Sequence, residues 1–505
     1  IAALGTGNTY TFRNSAGLYV SDDLAIPSST SVTFESTGGA LSAEKESTLS
    51  IDGPITASGP LLIGSIAAVN DPTGTVRFTN AGNTFSGASI TVGTSTGSTQ
   101  LPAILEASDS TLSGLEGITL QYGGTLKGPS SSATLSAPIT LGASSGVISS
   151  PNTLTISGNL STASGLETVP TLLLSGGGTL SFSGNNSSLL ANIQIQGDTT
   201  LQLSSETQLG TDNPSLQLGL LGGTLEVLGS SPIKSQRLIS FSGANILNVQ
   251  APASITITGL AQWEEGSSIT KMGSGAFSLL PVETSSSSDT ALSVTVQQGS
   301  FIGNGALLQT ASIAVSSGAN IGFNQSSAAT FTGTISGDGY VTVSGEGPFS
   351  FAPSLSTYSG GTIVEGPLVI SQDNLGSNQA PLMMEDGGIL QTTQSFSMAR
   401  AVTLSGEVSF SQDSGTLMEM SGPLSGSGNL NVTGPGGLIL SGSSPGYTGI
   451  ITVSEGPLVI NGNFSNSGDP IVNSGTILTG TGTVGATQVF GALKGGNPFG
   501  TLTVN

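Results

Sequence analysis

The chain has 505 residues, with 30 acidic and 9 basic side chains, a net charge of −21, and no His or Cys. Its scattered cations cannot neutralise a phosphate backbone, and its acidity repels an anionic bilayer, so neither nucleic acid nor a membrane surface is an expected partner. Without His and Cys the chain can form no histidine-based serine site, no Cys/His zinc or iron–sulfur centre and no disulfide scaffold.

Gly 75 and Pro 23 could mark a low-complexity chain. However, hydrophobic residues make up 36%, mean hydropathy is +0.21, and the apolar residues arrive in ordered bursts that flexible linkers lack. The sequence starts at Ile1 with no charged segment leading into an apolar run, so any export leader is expected to have been removed or left out. No apolar run reaches the roughly 18 residues of a spanning helix.

Residues 1–60 are expected to form N-terminal coils or a cap, and 61–470 a run of repeats. Asp22 and Asp23 in "SDDL" would point to opposite faces of a strand, and we read them as a solvated turn. "GTVRFTNAGNTFSGASITV" (74–92) is the first burst pattern, followed by "LLLSGGGTLSFSGNNSSLL" (172–190) with "TTLQL" (199–203). Within it Leu180 and Phe182 alternate with small polar residues, and Ile255 and Ile257 do so in "SITITG". Such period-2 alternation closed by glycine predicts short strands. Capped, period-3.6 patterns are absent, so helices are not expected.

"QWEEG" brings the only Trp, Trp263, beside Glu264 and Glu265. A Trp next to acids can stack on a sugar, but we read it as a coil corner covering the core edge. "ITKMGSGAFSLL" (269–280) is followed by "VTVQQGSFIGNG" (294–305). Between them, 281–293 is one candidate insertion; 372–388 is another, with Met383 and Met384 read as core strand. Asp338 and Asp373 are read as Asx turns.

Residues 336–374 and 425–463 are copies. Gly347 precedes Gly436 by 89 positions, and Tyr358 precedes Tyr447 by the same 89. One such unit cannot bury its own apolar face, so the copies must stack, each strand pairing with its equivalent in the next coil. About 20–25 residues per coil, at about 4.8 Å per coil, predict about 20–25 coils and a rod on the order of 100 Å. Low charge content suits such stacking, because like charges directly opposite repel. The predicted class is all-β, a parallel β-helix or β-solenoid.

"KMGSGAFSLL…VTVQQGSFIGNG" and "GPGGLILSGSSPGYTGIITVSEGPLVINGN" resemble the autotransporter-associated β-strand repeat: Tyr447, Gly449, Thr452, Val453, Gly456 and Leu458 match its pattern. Residues 475–505, "GTILTGTGTVGATQVFGALKGGNPFGTLTVN", resemble the segment ending autotransporter (type V secretion) passengers, although Gly496 stands where proline is usual and Pro498 and Phe499 alter the turn. A weaker similarity, through "GGAL" at Gly38 and Phe-x-x-Asn at Phe182 and Phe301, is to chlamydial polymorphic outer-membrane proteins. The resemblance implies a right-handed parallel β-helix displayed outside a bacterium. It makes 471–505 the C-terminal passenger segment and places a β-barrel translocator beyond Asn505 in the full-length protein.

Parallel β-helices also carry polysaccharide-acting enzymes, which need clustered carboxylates, often with calcium. The acids here are dispersed, with neither an Asp-x-Asp-x-Asp-Gly loop nor a calcium nonapeptide. Glycine-rich Gly-x-Ser-x-Gly matches near Ser274 carry no weight, and "GNGALLQ" lacks the ending of a phosphate loop. No catalytic residue, metal or cofactor is therefore expected. The expected role is a non-catalytic extracellular passenger, at the cell surface or secreted after cleavage. It would act in adhesion to a host receptor, matrix or glycan, or in self-association with another copy of itself. A structural coat or stalk is the alternative.

Overall fold

The computed structural model describes residues 8–65, 73–281, 291–352, 356–496 and 500–505. It is all-β, a parallel β-solenoid of about 22 turns. Two compact units divide it, 1–267 and 268–505.

In the first unit, strands of two to six residues mostly alternate inward and outward, as the period-2 pattern requires. Its longest sheet stacks eleven parallel strands from Leu24–Ile26 to Ala261–Trp263. Register in that sheet aligns Ile148, Leu174, Ile195, Leu220, Phe241 and Trp263 into one inward column. All six are buried, each stabilising the fold by about 1.5–3 kcal/mol. Outward positions form polar ladders. Ser181 donates to Gln202 at 2.8 Å, and Gln202 and Asn248 donate to the two oxygens of Glu226 at 2.8 and 2.7 Å.

The second unit repeats this scheme. Phe277, Phe301, Ile321, Val341, Thr362, Leu382, Val402 and Leu424 align in one buried column. Phe349, Leu368, Leu390, Phe410, Val432, Val453 and Val472 form another. Phe323, Phe331, Phe349 and Phe351 meet at centroid distances of 4.6–6.2 Å, within the range of stacked and edge-on ring pairs.

The 89-residue repeat departs from expectation in one respect. Strands Tyr340–Gly345 and Gly361–Val364 share one sheet, whereas their copies Asn429–Val432 and Ile451–Val453 lie in the next sheet round the solenoid. The two copies are therefore offset by one face, because 89 residues make four coils of about 20 plus one extra face. The copied residues nevertheless close equivalent corners, one face apart. Tyr358 and Tyr447 are both fully buried; Tyr358 Oη lies 2.7 Å from Thr362 Oγ1, and Tyr447 Oη donates to the carbonyls of Gly428 and Ile450 at 3.0 and 3.2 Å. A Cβ on Gly449 would sit 1.9 Å from the Gly428 oxygen and 2.7 Å from Tyr447 Oη, so only glycine closes this corner.

Candidate functional site

The stacking of the first unit is interrupted on one side. A sheet running from Thr9–Phe12 through Ser31–Phe34 and Ile55–Ala57 ends at Thr84–Phe85, and a different sheet starts at Ala133–Leu135. In the intervening coil, Glu106 leads into a 3-10 turn, Asp109–Thr111, instead of a strand. Residues 128–132, "GPSSS", form the irregular corner that leads into Ala133–Leu135 in the next coil. Both sequences lack the alternating apolar positions a strand needs, and Pro129 removes a ladder donor. The result is a surface groove of about 790 Å³, lined by Arg77, Thr79, Glu106, Asp109, Lys127 and hydroxyls of the serine run.

The walls are tied from both sides. Buried Asn83 accepts the Ile55 amide at 2.8 Å and donates to the Thr111 carbonyl at 2.9 Å, bridging three coils. Asp109 accepts the Ser136 amide at 2.5 Å, and Asn152 donates to the Ser130 carbonyl at 2.7 Å. Thr111 Oγ1 closes the turn on Ser108.

One edge of the groove carries a charge ladder. Arg77, Glu106 and Lys127 stand directly opposite one another on three consecutive strands. Arg77 binds both oxygens of Glu106, at 2.8 and 3.2 Å, and Lys127 Nζ lies 3.1 Å from Oε2. The Glu106 side chain is 11% exposed, while Arg77 and Lys127 are 40% and 38% exposed. The groove edge therefore presents cations, with their counter-ion beneath them.

Three other cations are buried, and their work is structural. Arg237 donates to the carbonyls of Ala191, Gln217 and Thr211; burial pushes it down to about 10, against the pull of Asp212. Arg400 pairs with Asp373 and donates to the carbonyls of Leu375, Ser377 and Ala380. Lys271 donates to the carbonyls of Met272, Gly273 and Gln298, and burial pushes it down to about 8. Each pins a loop that the strand ladder cannot hold.

The acids singled out in the sequence do not converge. Asp22 and Asp23 are exposed in a bend, where Asp23 accepts the Thr48 amide at 2.7 Å. Trp263 is 7% exposed and faces the core, whereas Glu264 points outward and accepts from Ser242 at 2.6 Å. The two form no sugar platform. Asp338 caps Ser359 from an exposed turn. Asp373 differs from its Asx-turn reading, because its carboxylate is taken by Arg400 across the coil. Met384 is core, and Met383 is half-buried on the outer side of the same strand. Of the candidate insertion 281–293, residues 282–290 lie outside the described residues, as do Pro498 and Phe499. In the other, residues 371–380 leave the strand ladder and are held by Arg400. Among the described residues no group of three or more Asp and Glu is placed to hold a metal ion.

Sequence reading missed the groove, although "GPSSS" carried a signal: five residues with no apolar position between two strands. It also missed the antiparallel hairpin Thr94–Thr96 and Thr99–Leu101.

No protein-family model matches the chain. Over 109 residues, 21% of the chain, it is 36% identical to a protein named "Adhesin BmaC autotransporter" from Brucella suis biovar 1 (strain 1330). The matched segment covers 3% of that relative. This similarity and the parallel β-solenoid together fit an autotransporter passenger domain. Among the described residues no helix is long and apolar enough to cross a membrane, which leaves β-barrel segments unaddressed.

Proposed function

We propose that the chain is a non-catalytic extracellular passenger that mediates adhesion at a bacterial surface. The similarity to an autotransporter adhesin supports an adhesin-like role and a cell-surface or extracellular location. The observation that carries adhesion over a coat or stalk is the groove. A purely structural solenoid gains nothing from breaking its ladder, yet here one coil gives up a strand for a 3-10 turn, and hydrogen bonds hold the concavity open. Functional loops on rigid scaffolds have this character. The partner is a host receptor, matrix or glycan; self-association is the second arm, which the outward Ser, Thr and Asn ladders favour.

Catalysis is not part of this reading. Both oxygens of Glu106 are engaged by cations, and Asp109 is spent on a backbone amide. The test is to titrate fluorescent purified chain onto cultured epithelial cells and measure its self-association by light scattering. Saturable cell binding by a monomeric chain is the expected result. Aggregation without cell binding would replace adhesion by the structural reading.

A further inference from the structure

We propose that the groove beside the Arg77–Glu106–Lys127 ladder binds an oligosaccharide bearing a carboxylate. The inference deepens the adhesion reading and rests on it only for its biological use. The groove's volume, about 790 Å³, lies within the range of small-ligand sites and admits a few sugar rings. Its lining is rich in Ser and Thr hydroxyls, which donate and accept as sugar hydroxyls do. Phe78, the one aromatic residue in the lining, is buried, so no exposed ring faces the groove.

The charge ladder gives the acid preference. Both cation heads converge on Glu106, so a single ligand carboxylate can reach both. Arg77 uses Nε and one terminal nitrogen on Glu106, and its other terminal nitrogen points to no ladder partner; Lys127 gives one of its three N–H groups. With Glu106 nearly sequestered and the cations about 40% exposed, an arriving acid meets positive charge first. A planar guanidinium and an ammonium side by side suit a carboxylate. On a chain of net charge −21 the groove is locally neutral, its two cations balanced by Glu106 and Asp109. Two cations are too few to hold a polyanion by charge alone, so the hydroxyl contacts must supply the remainder and select a sugar.

The experiment is calorimetric titration of the whole chain with sialyllactose and a hyaluronan tetrasaccharide, against lactose and the carboxyl-reduced tetrasaccharide. An acidic sugar should bind at least tenfold more tightly than its neutral partner. The triple variant R77Q/E106Q/K127Q keeps a hydrogen-bonding amide ladder like that through Gln202 and should lose this preference with an unchanged circular dichroism spectrum. K127Q alone, at a part-exposed position, should weaken binding at least threefold, and R13Q, at a distant exposed ion pair, should change nothing. Equal binding of acidic and neutral sugars, no binding of either acid, or an unaffected K127Q would overturn the proposal. An acidic-sugar preference that persists in the triple variant would also overturn it while leaving the adhesion reading intact.

Discussion

At the scale of single residues, the buried cations explain most of the chemistry that composition conceals. Arg237, Lys271 and Arg400 are fully or nearly fully buried in a chain with only nine basic residues. Their positions were legible: Ile269 and Lys271, Ser235 with Arg237 and Ile239, and Met398 with Arg400 and Val402 each continue an inward period of two. Reading these cations only as scattered missed that pattern. Truncating Arg400 to Met orphans Asp373 and three carbonyls, so the urea midpoint should drop by the equivalent of about 3–5 kcal/mol. Lys271 gives a pH signature. Burial lowers it from 10.5 to about 8, so between these values the unfolded chain holds a proton that the folded chain has released. Stability then rises with pH across that window, and the cost of burying the cation is fully present below it. Burial raises Tyr358 and Tyr447 above their ordinary 10.0, so above that pH unfolding releases protons and stability falls. The urea midpoint should therefore climb from pH 8 to about 10 and then decline, and Lys271→Met should flatten the climb.

At the scale of elements, strands were legible because both determinants are local: alternation fixes the inward face, and glycine fixes the corner. Corners needed more than pattern. Tyr447 and Gly449 were visible as a motif, but the reason for their pairing, an Oη under the turn with no room for a Cβ, is a contact between coils. Gly449→Ala should destabilise by at least about 1–3 kcal/mol, and Tyr447→Phe by about 1–2 kcal/mol, read as denaturant midpoints. Asn83 and Asn186 act alike, each taking an amide from one coil and giving to a carbonyl in another. Asn83→Ala leaves a buried N–H and C=O unpaired at about 1–3 kcal/mol each. It also releases Thr111 from the groove wall, so thermal unfolding and groove occupancy should suffer together, whereas Asn186→Ala should lower stability alone.

At the scale of the whole molecule, the repeat length was readable but its phase was not. The 89-residue identity of Gly347 with Gly436 and Tyr358 with Tyr447 predicted stacking, and stacking is present. The one-face offset was invisible because it depends on the number of residues per coil, which corners and loops set coil by coil. The groove was hidden for a related reason: it is a strand missing from a stack, apparent only once neighbouring coils are aligned. In this account the regular coils supply stability, and the interrupted ones supply recognition. The most direct test is to display the whole chain on a non-adherent bacterium through a heterologous β-barrel and count cells bound to an epithelial monolayer. The account predicts attachment well above the barrel-only control, competed by soluble chain. Attachment no greater than that control, from correctly displayed and folded chain, would contradict it.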